Sequence, residues 1–183
     1  TGVQTCALPI FHALLQKKNI AFESALAKSL NNRAFKHIKD KLDEANLELG
    51  NERGEAPDAV GTGKRFSHVM AIAPNASSSI IMGNTSPSVE PYRANAYRQD
   101  TLSGAFLNKN KFLDKIIQEK CDADSKLDYQ EIWSSIIAND GSVQHLDFLD
   151  EYTKDVYKTS MEIDQRDRKS TRLNSSHVAL SRM

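Results

Sequence analysis

Residues 74–84 read PNASSSIIMGN and residues 85–104 read TSPSVEPYRANAYRQDTLSG, and the fold and chemistry of the chain turn on this run. The five residues before it, VMAIA at 69–73, are a short unbroken apolar stretch that fits a strand buried on both faces. Pro74 ends that stretch, and Asn75, Ala76, Ser77, Ser78 and Ser79 then open a short helix. The first amides of a helix lack partners within it and lie at the positive end of its dipole, so they attract an anion. Short seryl side chains add hydroxyl donors without blocking approach, and a diphosphate is the natural guest. Asn and Ser are also the preferred residues for capping a helix that binds nothing, so spacing alone leaves both readings open.

Working outward, Phe11, Leu14 and Leu15 begin a short helix that stops near Asn19. A longer helix follows from about Phe22, with Phe35, Ile38, Leu42, Ala45 and Leu49 on one stripe and Gly50 as its stop signal. The charged, Gly-rich stretch NERGEAPDAVGTGK at 51–64 reads as a long surface connection. Its GTGK at 61–64 lacks the spacing and the following Ser/Thr of a phosphate loop, and precedes the expected strand instead of following it. Beyond the opening run, TLSGAFLNKN at 101–110 reads as extended, and a helix begins at about Lys111 with Phe112, Leu113, Ile116 and Ile117 inward. Tyr129, Ile132, Trp133, Ile136 and Ile137 recur at the helical period, and Asn139, Asp140 and Gly141 supply the stop. A last helix is expected from about Asp147, with Leu149, Tyr152 and Val156 inward.

With 183 residues, 39% apolar and 26% charged, the chain has the composition of one soluble globular domain. No run approaches the roughly 18 apolar residues of a membrane span, and 24 basic against 24 acidic residues give no electrostatic case for nucleic acid. Two cysteines cannot build a disulfide framework or a four-cysteine zinc site. His12, His37, His68 and His145 are scattered without ligand spacing, so no metal site is expected. Arg93 and Arg98 could face an anion, but read more simply as solvated surface charge. The carboxylates fall mainly on helix faces, with no pair isolated for acid/base work.

The termini stand apart. Residues 1–10, TGVQTCALPI, and residues 167–176, DRKSTRLNSS, can be encoded by DNA segments that are reverse complements of each other. Thr1 as ACT pairs with Ser176 as AGT, Cys6 as TGT with Thr171 as ACA, and Ile10 as ATC with Asp167 as GAT. Both strings are similar to translations of a widely used sequencing-library adapter, so residues 1–10 and 167–183 are read as adapter-derived. Setting aside Arg168, Lys169, Arg172, Arg182 and Asp167 leaves a net charge of −3, and Cys121 remains as the single cysteine. The remaining residues, 11–166, read as an internal piece of a longer protein.

Several separate elements of the opening run now take on a common meaning. The Pro followed by small and hydroxyl residues, Gly83 with Asn84, Glu90 with Pro91, Asn95 two residues before Tyr97, and Leu102-Ser103-Gly104 occur in one order over some thirty residues. In this the chain resembles the large, catalytic subunit of class I ribonucleotide reductase. IIANDGSVQ and YKTSMEIDQR downstream, and ERGEAPDAVGTGKRF upstream, are similar to the same family. The resemblance implies an α/β fold, a late part of a ten-stranded α/β barrel, here mostly helical with one or two short strands. An excised barrel portion would leave strand edges unpaired and helix faces uncovered, which invites association.

For function, the resemblance implies that the parent reduces ribonucleoside diphosphates to deoxyribonucleoside diphosphates by radical chemistry in the cytoplasm. Asn75, Ala76, Ser77, Ser78 and Ser79 would hold the substrate's diphosphate, with Ser77 and Ser78 donating hydroxyls. The parent's partners would be a radical-generating small subunit and nucleotide effectors. No catalytic residue and no cofactor is assigned to this piece: Cys121 lacks the family's Asn-x-Cys-x-Glu setting, and Tyr92, Tyr97, Tyr129, Tyr152 and Tyr157 include no adjacent pair for radical relay. By itself the piece is expected to be inactive. Two other readings of the residues are a small helical interaction protein and a phosphate-binding module without reductase activity.

Overall fold

Asn19 takes a left-handed conformation, φ 53°, and ends α1 (Phe11–Lys17) where the sequence predicts a stop. The computed structural model describes residues 11–71, 73–101, 104–164 and 166. Both segments read as adapter-derived, 1–10 and 167–183, lie outside the described residues, Arg166 being the last of them. Ser24 caps the second helix, its hydroxyl accepting from the Ala27 amide at 3.1 Å, so α2 (Ala25–Arg53) starts slightly later than its apolar pattern.

Gly50 does not stop α2. The helix runs through it to Arg53 and ends at Gly54, φ 78°. A Cβ on Gly50 would lie 1.9 Å from the Gly63 carbonyl oxygen, so the glycine serves a close backbone approach. The 51–64 connection accordingly folds back along the helix. The Arg65 amide donates to the Asn46 carbonyl at 3.3 Å, and the Asn46 side chain bonds both the amide and carbonyl of Phe66, at 2.8 and 2.9 Å. The Glu55 carboxylate accepts from the Gly61 amide at 2.7 Å and from the Gly63 amide. This explains why the predicted apolar stripe is only partly used. Phe35 is buried, Ile38, Leu42 and Leu49 are half-buried and Ala45 is exposed, while the buried positions Asn46 and Gly50 meet returning backbone.

The expected strand at 69–73 does not form: among its described residues Val69, Met70, Ala71 and Ala73 are irregular, and Ala71 is exposed. A strand needs a neighbour to satisfy its amides and carbonyls, and the sheet found among the described residues lies elsewhere. That sheet pairs β1 (Ala96–Thr101) with β2 (Gly104–Lys109), antiparallel, from Ala96 opposite Lys109 to Thr101 opposite Gly104. β2 falls in the segment predicted to be extended. Its Phe106 and Leu107, in the middle of the hairpin opposite Gln99 and Arg98, are exposed.

Three capped helices follow. Asn110 caps α4 (Lys111–Ala123), Asp128 caps α5 (Tyr129–Ala138) and Asp150 caps α6 (Glu151–Val156), each accepting from a first-turn amide. The last helix therefore starts later than expected, because the cap is Asp150. Leu149 and Val156 are buried as predicted, but Tyr152 is exposed and donates to the Asn19 carbonyl at 2.8 Å. Leu113, Ile117, Trp133 and Ile136 form the centre of the larger core with Val143 and Val156. Burying each such side chain contributes about 1.5–3 kcal/mol. A smaller cluster of Phe11, Leu15, Phe22 and Ile163 packs around α1.

A buried polar chain joins the two clusters. Asn95 donates through Nδ2 to the carbonyls of Gly141 and Tyr157, at 3.0 and 2.7 Å. Asn110 Nδ2 donates to Asn95 Oδ1 at 3.0 Å and to Gln16 Oε1 at 2.9 Å. Gly141, φ 80°, lies so close to this junction that a Cβ there would meet the Ala94 Cβ at 2.5 Å.

Candidate functional site

Asn75 stands in the left-handed region, φ 48° and ψ 36°, immediately before α3 (Ala76–Ile81). Its side chain makes no capping bond, and its Nδ2 is enclosed without a hydrogen-bond partner. The first intrahelical bond runs from the Ser79 amide to the Asn75 carbonyl at 3.0 Å, so the amides of residues 76–78 precede the helical ladder. Ser77 and Ser78 are exposed beside them, whereas Ser79 is buried. The structure thus brings four of the five predicted residues to one helix end and turns Ser79 inward. Of Ala76 only the backbone is described.

The far end of α3 is tied down more firmly than its start. The Thr85 amide returns to the Ser79 carbonyl at 3.1 Å, and Asn84, φ 54°, donates from Nδ2 to Asn108 Oδ1 of β2 at 2.7 Å. The Asn84 carbonyl accepts from the Tyr92 hydroxyl at 3.2 Å. Ser86, fully buried, accepts from the Ala13 amide at 3.1 Å. Lys111 brings an ammonium to this side, 4.0 Å from where a Cβ on Gly83 would stand. Arg93 and Arg98 are both exposed.

Beneath the turn, His12 accepts at Nδ1 from the Tyr92 amide at 2.9 Å. A neutral imidazole has one acceptor nitrogen, which places the proton on Nε2, towards the Val156 carbonyl. Complete burial holds His12 neutral by lowering its pKa to about 3. The sequence pattern missed this role for His12 and Tyr92, since neither lies in a ligand spacing. The available signal was the i, i+4 pair His12 and Gln16, two polar residues on the apolar face of α1.

Other titratable groups are arranged for structure. Burial pushes the Cys121 thiol up, helped by Asp122 and Asp128, so it is not an activated thiolate. Among the described residues no cluster of His, Cys, Asp or Glu is arranged to hold a metal ion. No helix among them is long and apolar enough to cross a membrane.

Residues 57–169 match the family described as ribonucleotide reductase, barrel domain. The chain belongs to the ribonucleotide reductase family. It is 54% identical over 158 residues to the ribonucleoside-diphosphate reductase large subunit of Invertebrate iridescent virus 6, covering 85% of this chain and 16% of that protein. Against the large subunit of Invertebrate iridescent virus 3 the identity is 54% over 155 residues, covering 85% and 24%. In three dimensions it is similar to the Actinobacillus ureae class Id ribonucleotide reductase alpha subunit, at a TM-score of 0.80 and 41% identity, over 92% of this chain and 30% of that one. This ribonucleotide reductase chain thus spans less than a third of each of these relatives. The expected fold, a mostly helical barrel portion with short strands, holds, with its strands at Ala96–Thr101 and Gly104–Lys109.

Proposed function

We propose that the chain is the part of a ribonucleoside-diphosphate reductase large subunit that grips the diphosphate of its substrate. The observation that carries this is the start of α3. Asn75, in a left-handed conformation, does not cap the helix, so the amides of residues 76–78 are left to an outside acceptor beside exposed Ser77 and Ser78. Backbone amides and a helix dipole bind an anion whatever the side chain at Ala76. The capping alternative predicts an Asn75 side chain bonded to a first-turn amide, which is not its conformation here.

In this reading the intact subunit converts ribonucleoside diphosphates to deoxyribonucleoside diphosphates in the cytoplasm, working with a radical-generating small subunit and under nucleotide effectors. The loop of Asn75, Ala76, Ser77 and Ser78 binds and orients the substrate, with inward-turned Ser79 supporting the helix, and the radical chemistry belongs to residues outside this segment. The segment alone is inactive.

The test is the double variant Ser77→Ala, Ser78→Ala in the full-length subunit carrying this segment. It removes two charge-assisted hydrogen bonds, each worth about 1.5–3 kcal/mol. Diphosphate-nucleotide affinity falls strongly without vanishing, because the amides remain. Stability changes by no more than the about 1 kcal/mol of a lost cap. Unchanged affinity with lowered stability would return the loop to a helix end with no ligand.

A further inference from the structure

We propose that Tyr92 is a positioning residue for the diphosphate loop, fixing α3 from its far end; the inference rests on the reading of the loop given above. A six-residue helix has little stability of its own; α3 has no capping side chain at Asn75, and its described apolar side chains, Ile80 and Ile81, are exposed, as is Met82 after them. Its place in the fold is therefore set by the chain that leaves it. That exit is tied within itself by the Thr85 amide on the Ser79 carbonyl and to β2 by Asn84 on Asn108, and the Tyr92 hydroxyl on the Asn84 carbonyl, at 3.2 Å, is the bond that ties it to the residue gripped by α1.

Tyr92 is suited to this task because it is itself fixed at both ends. Its amide donates to His12 Nδ1 at 2.9 Å, and its carbonyl accepts from the Ser160 amide at 2.7 Å. The rings of His12 and Tyr92 pack with centroids 5.5 Å apart, and Tyr92 is buried. One side chain thus carries the position of the packed α1 and of the segment after α6 to the turn behind the loop. It reaches the Asn84 carbonyl, on the exit side of α3, and so acts through the turn and not on the substrate. The hydroxyl also has a hydrogen bond with the Ser86 backbone, so it engages the turn at two points, and small displacements of groups that position a substrate are costly.

The experiment compares Tyr92→Phe with the Ser77→Ala, Ser78→Ala double variant in the full-length subunit, assayed with its radical-generating partner. Tyr92→Phe keeps the ring, and so the packing against His12. The expected result is a rise of about fivefold in KM for the ribonucleoside diphosphate with kcat within about twofold. His12→Asn, which keeps an acceptor at the Nδ1 position for the Tyr92 amide, is expected to retain the parent KM, whereas His12→Leu raises it. An unchanged KM in Tyr92→Phe, beside a raised KM in the seryl double variant, would overturn the positioning role and leave the diphosphate reading standing. An unchanged KM in both would overturn the diphosphate reading and the positioning role with it.

Discussion

Asn95 and Asn110 are bonded to each other twice, backbone to backbone at 2.8 Å and side chain to side chain at 3.0 Å, and so clamp the two roots of the β1–β2 hairpin. Replacing Asn95 by Ala removes both of its donor bonds and takes a partner from the Tyr157 carbonyl, while the Gly141 carbonyl keeps only the residue 95 amide, at 3.1 Å. The expected cost is about 2–4 kcal/mol, from three lost bonds, the third being the one accepted from Asn110, and the desolvated groups they leave. Denaturant unfolding of the variant checks it, and a change below about 0.5 kcal/mol would contradict the clamp.

Exposed Ile81, at 86% of its full accessibility, and Phe106, at 53%, predict that the isolated chain associates. Ile81→Ser with Phe106→Ser is expected to shift it towards monomer in analytical ultracentrifugation, with little loss of stability because neither side chain is in the core. This soluble background also serves the unfolding measurements.

Gly50→Ala is expected to be far worse than the helix propensity of alanine implies. The new Cβ overlaps the Gly63 carbonyl, and that contact is backbone on both sides, so the connection has to move away. Overpacking of this kind costs about 1–3 kcal/mol. Because the connection opens first, trypsin cleavage after Lys64 and Arg65 accelerates more than global unfolding does.

His12 makes stability fall with acid. Its pKa is about 3 in the folded chain and 6.5 as the ordinary value, so below pH 6.5 the unfolded chain takes up a proton that the folded chain refuses. The contribution is complete above pH 6.5 and is lost as pH falls towards 3. From pH 7 to pH 5 the loss is about 2 kcal/mol by linkage. His12→Asn, which cannot titrate, loses that much less over the same interval, as denaturant unfolding at the two pH values measures directly.

Legibility in the sequence followed the kind of force involved. Ile132, Trp133 and Ile136 were readable because a helical period reports directly on which face meets the core. The end of that helix was readable because Asp140 and Gly141 adopt positive φ, a local demand with a local signature. Gly50 was misread because a glycine that stops a helix and one that admits a neighbouring backbone look the same in one dimension. The 69–73 strand failed for a related reason: an apolar run states what it must bury, not which strand it pairs with. At the candidate site, the composition of residues 75–79 is legible as a helix start that fits either a cap or an anion, while the contact between Tyr92 and His12 spans 80 residues, beyond any local pattern.

The carboxylate of Glu55, gripped by the amides of Gly61 and Gly63, gives the 61–64 stretch an internal ligand. Those two amides, Gly61 first, are also what holds the Glu55 carboxyl below its usual range. The acceptor is covalently tethered six residues from Gly61 and hence always present at high effective concentration, so the loop carries its own closure. Glu55→Gln would exchange a charged acceptor for a neutral one, and the return of the 55–63 loop along the helix would be held less tightly.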